Sequence, residues 1–220
     1  MKILSINISL PRKIIFNNKE LLTSIYKEPV NNHVKVNKMG IEGDGQADLN
    51  AHGGINKSIY AYSYAHYNYW GKLLNKDFIN DFGLIGENLT IDDFSEKEYF
   101  IGDEFEISNL IVKITQPRIP CFKLGIKMGN KEFVKYFIDY SHVGMYMKVL
   151  NSGEIKKGDN LKLIYREDNS MTVYEISQLA FKDLNNVSAM KKALKMSYLS
   201  DEIKDRFKSR LVKLGHYEII

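Results

Sequence analysis

Cys121 is the only cysteine in the chain, and it directly follows a proline in the stretch ITQPRIPCFKLG (114–125). Pro117 and Pro120 fix φ at their own positions and bias Gln116 and Ile119 toward extended backbone. A thiol on so stiff a segment has a restricted position, which suits a metal ligand or a nucleophile. Arg118 and Lys123 flank it, and nearby cations favour thiolate over thiol. Taken by itself, a lone cysteine is more often a small buried hydrophobe. Other segments shift that balance.

Residues 43–57 read GDGQADLNAHGGINK. They bring together Asp44, Gln46, Asp48, His52 and Lys57, with Gly53 and Gly54 between them. Paired glycines let backbone N–H groups approach an anion. Lys57 adds a positive charge suited to a phosphate, and His52 can donate a hydrogen bond or move a proton. Any one of these residues fits an ordinary polar loop equally well; their density favours a site. The spacing matches neither a Walker loop nor a dinucleotide fingerprint, and no second cysteine or HxxxH pair supports an ordinary zinc site. In GLIGENLT (83–90), Glu87 and Asn88 either bond a polar ligand or form the turn before a strand, and the turn is favoured.

The elements that must hold these segments are mostly short strands. Ile-, Val-, Tyr- and Phe-rich runs at 2–9, 57–62, 88–91, 104–107, 110–116, 143–150 and 161–165 alternate with turn residues. IGDEFEIS (101–108) and KGDNLKLI (157–164) repeat one device: Gly102 or Gly158 supplies a positive φ, and Asp103 or Asp159 bonds the turn backbone. Such a pattern predicts a β-barrel. Two helices interrupt it. One, over 63–79, aligns Tyr67, Trp70, Leu74 and Phe78; the other, over 130–139, aligns Phe133, Val134, Phe137 and Ile138 behind Asn130 as N-cap.

After the polar linker EDNS the texture changes. Thr172 and Glu175 form a capping box. Ser188 and Ser200 are expected to cap two further helices, the last carrying Ile203, Phe207, Leu211 and Leu214 before Gly215. The expected organisation is a β-barrel domain over 1–168 and a three-helix domain over 171–220. About 50 residues make a marginal core alone, so the helices should dock on the barrel or on a partner.

The chain has 220 residues and a net charge of +4, a balance that fits an anionic ligand but not nucleic-acid binding by itself. The basic tail residues Lys191, Lys192, Lys195, Lys204, Arg206 and Lys208 are interrupted by acids, and no nucleic-acid reader motif accompanies them. No apolar run approaches the ~20 residues of a membrane span. A single cysteine makes a reducing, cytoplasmic setting the default.

GDGQAD, HGG with its following Lys57, GENLT, IGD and QPRIPCFKLG, in this order, resemble the MOSC domain, the C-terminal domain of molybdenum-cofactor sulfurases and its free-standing relatives. The helical tail resembles the YiiM-type bacterial branch, linked to resistance to N-hydroxylated base analogues. The resemblance implies a MOSC-type β-barrel, mainly β with helices, and a molybdenum cofactor as ligand. It implies Cys121 as the protein ligand to molybdenum, and a soft thiolate suits a metal already held by sulfur. Gly53, Gly54, Lys57, Arg118 and Lys123 then form an anion cradle, with Asp44, Gln46, Asp48 and His52 as its polar wall and Glu87, Asn88 and Gln116 beside it. SHVGMYMKVL (141–150) departs from the family, whose members often carry Arg or Thr before Gly-aromatic-Tyr. A neutral change at His142–Val143 is expected.

The activity implied is reduction of N-hydroxylated compounds to amines, with Cys121 on the metal and His52 and Asp48 as proton donors. Nothing in the sequence signals a flavin, haem or iron–sulfur site, so electrons are expected from a separate protein, with the tail as a docking surface. A homodimer is left open. The rival readings are a cofactor or sulfur carrier without turnover, and a pyridoxal-phosphate protein with Lys57 as its Schiff-base lysine.

Overall fold

The strand IYAYS (59–63) is buried on both faces, and its alternation divides the molecule. Ile59 and Ala61 enter one apolar core; Tyr60 and Tyr62 enter another. Successive side chains of a strand point to opposite faces, so the sheet that carries this strand is covered on both sides. The computed structural model describes residues 1–47 and 53–217.

The N-terminal third holds β1 (Ile3–Ile8), β2 (Arg12–Phe16), β3 (Lys19–Thr23), β4 (Glu28–Val30), β5 (Val34–Asn37) and β6 (Gly40–Ile41). Then come β7 (Ile59–Ser63), α1 (Tyr67–Leu74), β8 (Leu89–Ile91), β9 (Glu104–Ile107) and β10 (Leu110–Pro117). They are followed by α2 (Phe122–Met128), α3 (Phe133–Tyr140), β11 (Met145–Asn151), β12 (Gly153–Ile155) and β13 (Lys162–Tyr165). The tail is α4 (Val173–Phe181), α5 (Val187–Leu194) and α6 (Asp201–Lys213). The main sheet runs β13-β9-β10-β11-β7-β8-β1-β4, antiparallel except for β7 with β8. It curls until the segment before β13 meets the start of β1: Leu161 N–H donates to Met1 O and Ile3 N–H to Asp159 O, both at 2.9 Å. The result is a curled eight-stranded half-barrel with several helices, the β-barrel type of fold expected. Among the described residues no helix is long and apolar enough to cross a membrane.

Seven of these strands match the runs expected from alternation. Both Gly-Asp turns also form as expected: Gly102 and Gly158 have φ of 95° and 94°, Asp103 accepts from Phe100 N–H and Asp159 from Lys156 N–H. The first helix is shorter than its stripe, because Asn75 adopts a left-handed conformation (φ 51°) and ends it. Phe78 still reaches the same core. Asn130 is not the N-cap of α3; it accepts from Glu132 N–H at 2.9 Å and shapes the turn before a helix that starts at Phe133.

The tail lies on the sheet, with one apolar core continuous from Phe105, Val112 and Ile114 to Ile176, Met190, Ile203 and Phe207. Backbone bonds fasten it: Val173 N–H donates to Tyr99 O and Ser200 N–H to Thr115 O. The Thr172–Glu175 capping box is present, and Ser200 caps α6. The cap of α5 is Asn186 rather than Ser188: its side chain accepts from Ala189 N–H at 3.0 Å, and asparagine caps as well as serine.

Candidate active site

β10 ends at Pro117, and four residues later Cys121 flanks the start of α2 in extended conformation (φ −125°, ψ 172°). The prolines therefore deliver the thiol from the end of a central strand to the mouth of a short helix. Cys121 is half-buried. Arg118 is only 6% exposed. Its Nη1 donates to Ile85 O at 2.6 Å, and its guanidinium lies 4.6 Å from the Tyr60 ring centroid. A buried guanidinium is costly unless its donors and charge are met; a carbonyl and an aromatic face meet part of that need.

The opposite wall comes from the loop after β6. Asp44 accepts from Ser9 N–H and from Asn88 Nδ2, each at 2.8 Å, and forms a 2.5 Å ion pair with Lys27. Burial holds the Lys27 pKa below the ordinary lysine value, and Asp44 offsets part of that effect. Asn88 also fixes the adjoining strand, accepting from Tyr60 N–H. Gln46 joins the two ends of its loop: Oε1 accepts from Gly54 N–H at 2.7 Å, and Nε2 donates to Lys57 O at 3.3 Å.

The tail backs the cleft from behind Lys57. Glu202, in the first turn of α6, pairs with Lys57 and accepts from Gln116 Nε2 at 3.2 Å. The carboxylate is 39% exposed and the lysine 9%, so the pair is worth about 1 kcal/mol or less. Glu202→Gln removes a negative charge from beside Lys57. Inorganic phosphate is expected to bind this variant a few-fold more tightly in calorimetric titration; unchanged affinity would mean that the Glu202 charge does not reach the anion.

These walls enclose a half-open cleft of about 710 Å³, open solvent included. Cys121, Arg118, Lys123, Lys57, Lys27 and Asp44 all line it. Lys123 Nζ donates to Leu22 O at 3.0 Å. One soft sulfur thus shares a cleft with four cationic side chains, a donor set for a sulfur-bound metal carrying an anionic group. Residues 48–162 match the family model for the MOSC domain, about half of the chain.

The chain is a member of the MOSC domain family. It is similar to the protein YflK of Bacillus subtilis (strain 168), with 33% identity over 212 residues, 96% of this chain and 95% of that one. A protein named "Reductase" from Gibberella moniliformis is 29% identical over 162 residues, 73% of this chain but 29% of that longer one. Among solved structures, YiiM from Geobacillus stearothermophilus superposes with a TM-score of 0.80 at 28% identity, over 96% of this chain and 98% of that one.

In this MOSC protein the cleft gathers Cys121, Arg118, Lys123, Lys57, Asp44, Gln46 and Asn88. Glu87 does not line it; its carboxylate is buried in the 83–90 turn, accepting from Gly83 N–H, Ile85 N–H and Thr90 Oγ1. Gln116 does not line it; its Nε2 donates to Glu202, which pairs with Lys57. Gly53 and Gly54 do not line it either, and Gly54 N–H is taken by Gln46. Asp48 and His52 lie outside the described residues. The sequence reading missed Ser24, Lys27, Tyr60 and Tyr146 on the wall, and Glu202 behind Lys57.

His142 is tied into the fold. Its Nδ1 lies 2.7 Å from the Oε2 of buried Glu96, and its ring lies 4.4 Å from that of His66. Burial pushes the His66 pKa down to about 4, against partial opposition from Glu96. Below pH 6.5 the unfolded chain binds a proton there that the folded chain refuses. Stability from this residue is therefore fully present above about pH 6.5 and falls away toward pH 4, by up to roughly 3 kcal/mol. Urea unfolding of His66→Gln should show a shallower loss between pH 6.5 and 4.5 than the parent. Equal slopes would mean that the imidazole is solvated.

Proposed function

We propose that the cleft holds a molybdenum cofactor through Cys121, and that the protein reduces N-hydroxylated compounds, R–NHOH to R–NH2. The observation that carries this reading is the placement of the single thiol beside Arg118 and Lys123, facing the Asp44–Gln46 loop across one cleft. Membership of the MOSC family and a relative named as a reductase support it.

The residues present fit such a group. Cys121 offers a soft ligand. Lys57, Lys123 and Arg118 offer charge to a phosphate. Ser24 Oγ is buried on the cleft wall with no hydrogen-bond partner among the described residues. A buried hydroxyl without a partner is costly, and a polar ligand would satisfy it. When bound, the cofactor supplies two-electron redox chemistry that no side chain can. The overall change, R–NHOH + 2 e⁻ + 2 H⁺ → R–NH2 + H2O, needs electrons from a separate donor protein.

The chain's own residues bind, orient and move protons. The Tyr60 and Tyr146 phenols, whose pKa values burial raises, stay protonated; Tyr146 can donate a hydrogen bond, and both rings offer surface. Tyr60 Oη is already committed to Val143 O at 2.8 Å. Lys27, an ammonium on the cleft wall whose pKa burial lowers from the ordinary lysine value, is a candidate proton donor among the described cleft residues. A pyridoxal-phosphate reading finds less support, because a Schiff-base lysine must present a neutral amine and Lys57 is held in an ion pair with Glu202.

The test is turnover. Protein made in a host that synthesises the cofactor should reduce an N-hydroxylated base analogue with an artificial electron donor, and protein from a host that cannot synthesise it should not. Protein that holds molybdenum yet fails to turn over would favour a carrier role.

A further inference from the structure

We propose that His66, Glu96 and His142 form a binding site for a divalent transition-metal ion of the zinc class, separate from the cleft around Cys121. One ligand atom from each residue lies within 4.8 Å of the other two. None of the three lines the cleft. No short-range spacing announces them: His66 ends a 3-10 turn before α1, Glu96 lies between β8 and β9, and His142 lies between α3 and β11. The fold alone brings them together.

Each residue is prepared for ligation. His66 is 8% exposed, and its Nε2 is buried with no hydrogen-bond partner among the described residues. Its other nitrogen, Nδ1, lies 3.0 Å from Tyr140 Oη. A ligating imidazole ordinarily donates its second N–H to such an outer partner, which fixes the ring and frees the opposite lone pair. Glu96 is 1% exposed. Gly144 N–H anchors its Oε1 at 2.9 Å, which leaves Oε2 facing His142. A hydrogen-bonded Glu96–His142 pair explains those two residues but not the orphaned nitrogen of His66. A metal ion that replaces the proton between Nδ1 and Oε2 accounts for all three. His142 is 24% exposed and provides the entry path.

Two imidazoles and one carboxylate leave a fourth position open. That donor set favours zinc, cobalt, nickel or copper over magnesium or calcium. The segment that would be held leads directly to the cleft: Val143 O accepts from Tyr60 Oη, and Gly144 O accepts from Arg118 N–H at 3.4 Å. A bound ion would stiffen the backing of both residues.

The test uses full-length Cys121→Ser protein, so that the thiol cannot compete, stripped with chelator and titrated with cobalt(II). The expected result is stoichiometric binding with visible d–d bands and displacement by zinc. His142→Ala should weaken binding by more than the roughly 10–100-fold that loss of an outer-shell partner costs, and Tyr140→Phe by about that range. Tyr140→Phe keeps the test usable if a ligand variant fails to fold. No cobalt spectrum in the Cys121→Ser protein, or the same affinity when His142→Ala and Tyr140→Phe are added to it, would overturn the site.

Discussion

Serine in place of Cys121 is expected to lower hydroxylamino reduction by more than about 100-fold, beyond the cost of losing an outer-shell partner of a metal ligand. The fold should survive. Cys121 is half-buried at the flank of α2 and contributes no side-chain cap to that helix. The exchange of one sulfur for one oxygen at such a position costs about 0.5 kcal/mol or less. The melting temperature should therefore stay within about 2 °C of the parent. Loss of activity with an intact fold would separate a ligand role from a packing role. A serine variant that keeps substantial turnover would remove the thiol from the chemistry.

Glu87→Ala is expected to act in the opposite way, on the fold first. The buried carboxylate accepts hydrogen bonds from Tyr67 Oη, Gly83 N–H, Ile85 N–H and Thr90 Oγ1. Alanine leaves these donors unmet in a site that excludes water. Each orphaned donor costs about 1–3 kcal/mol before relaxation. A net loss of roughly 3–5 kcal/mol follows, or a melting temperature lower by roughly 6–20 °C for a chain of this size. The same turn holds Ile85 O against Arg118 and sets Asn88 against Asp44, so ligand binding should fail with it. Glu87→Gln keeps two acceptor lone pairs and should lose less. Thermal unfolding of both variants checks the ranking, and an unchanged Glu87→Ala would contradict it.

The elements legible in the sequence were those whose signals are local. β9 coincides with EFEI, and the turn before it follows from Gly102 and Asp103. The capping box at Thr172 needs only four residues to declare itself. The hairpin of β2 and β3 escaped, although Asn17 and Asn18 carry the positive φ values of a tight hairpin turn (51° and 60°). Its strands are largely exposed, so no alternation marks them. α2 escaped because prolines made its start read as a loop. Here Pro120 stands just before the helix, where it interrupts no helical hydrogen bond. The site followed the same division. Cys121, Arg118 and Lys123 lie within six residues of one another. Lys27 meets Asp44 across 17 positions, and Glu202 meets Gln116 across 86. Only the curled sheet and the docked tail bring such partners together. The contact of His142 was hidden for the same reason, since its partner Glu96 lies 46 positions away.

Metal analysis tests the centre of this account most directly. Parent and Cys121→Ser protein would be purified from a host that makes the molybdenum cofactor and from one that does not. Stoichiometric molybdenum in the parent from the competent host alone, with little in the serine variant, is the predicted result. A parent devoid of molybdenum from that host, or a serine variant that retains it fully, would contradict the assignment of Cys121 as the ligand.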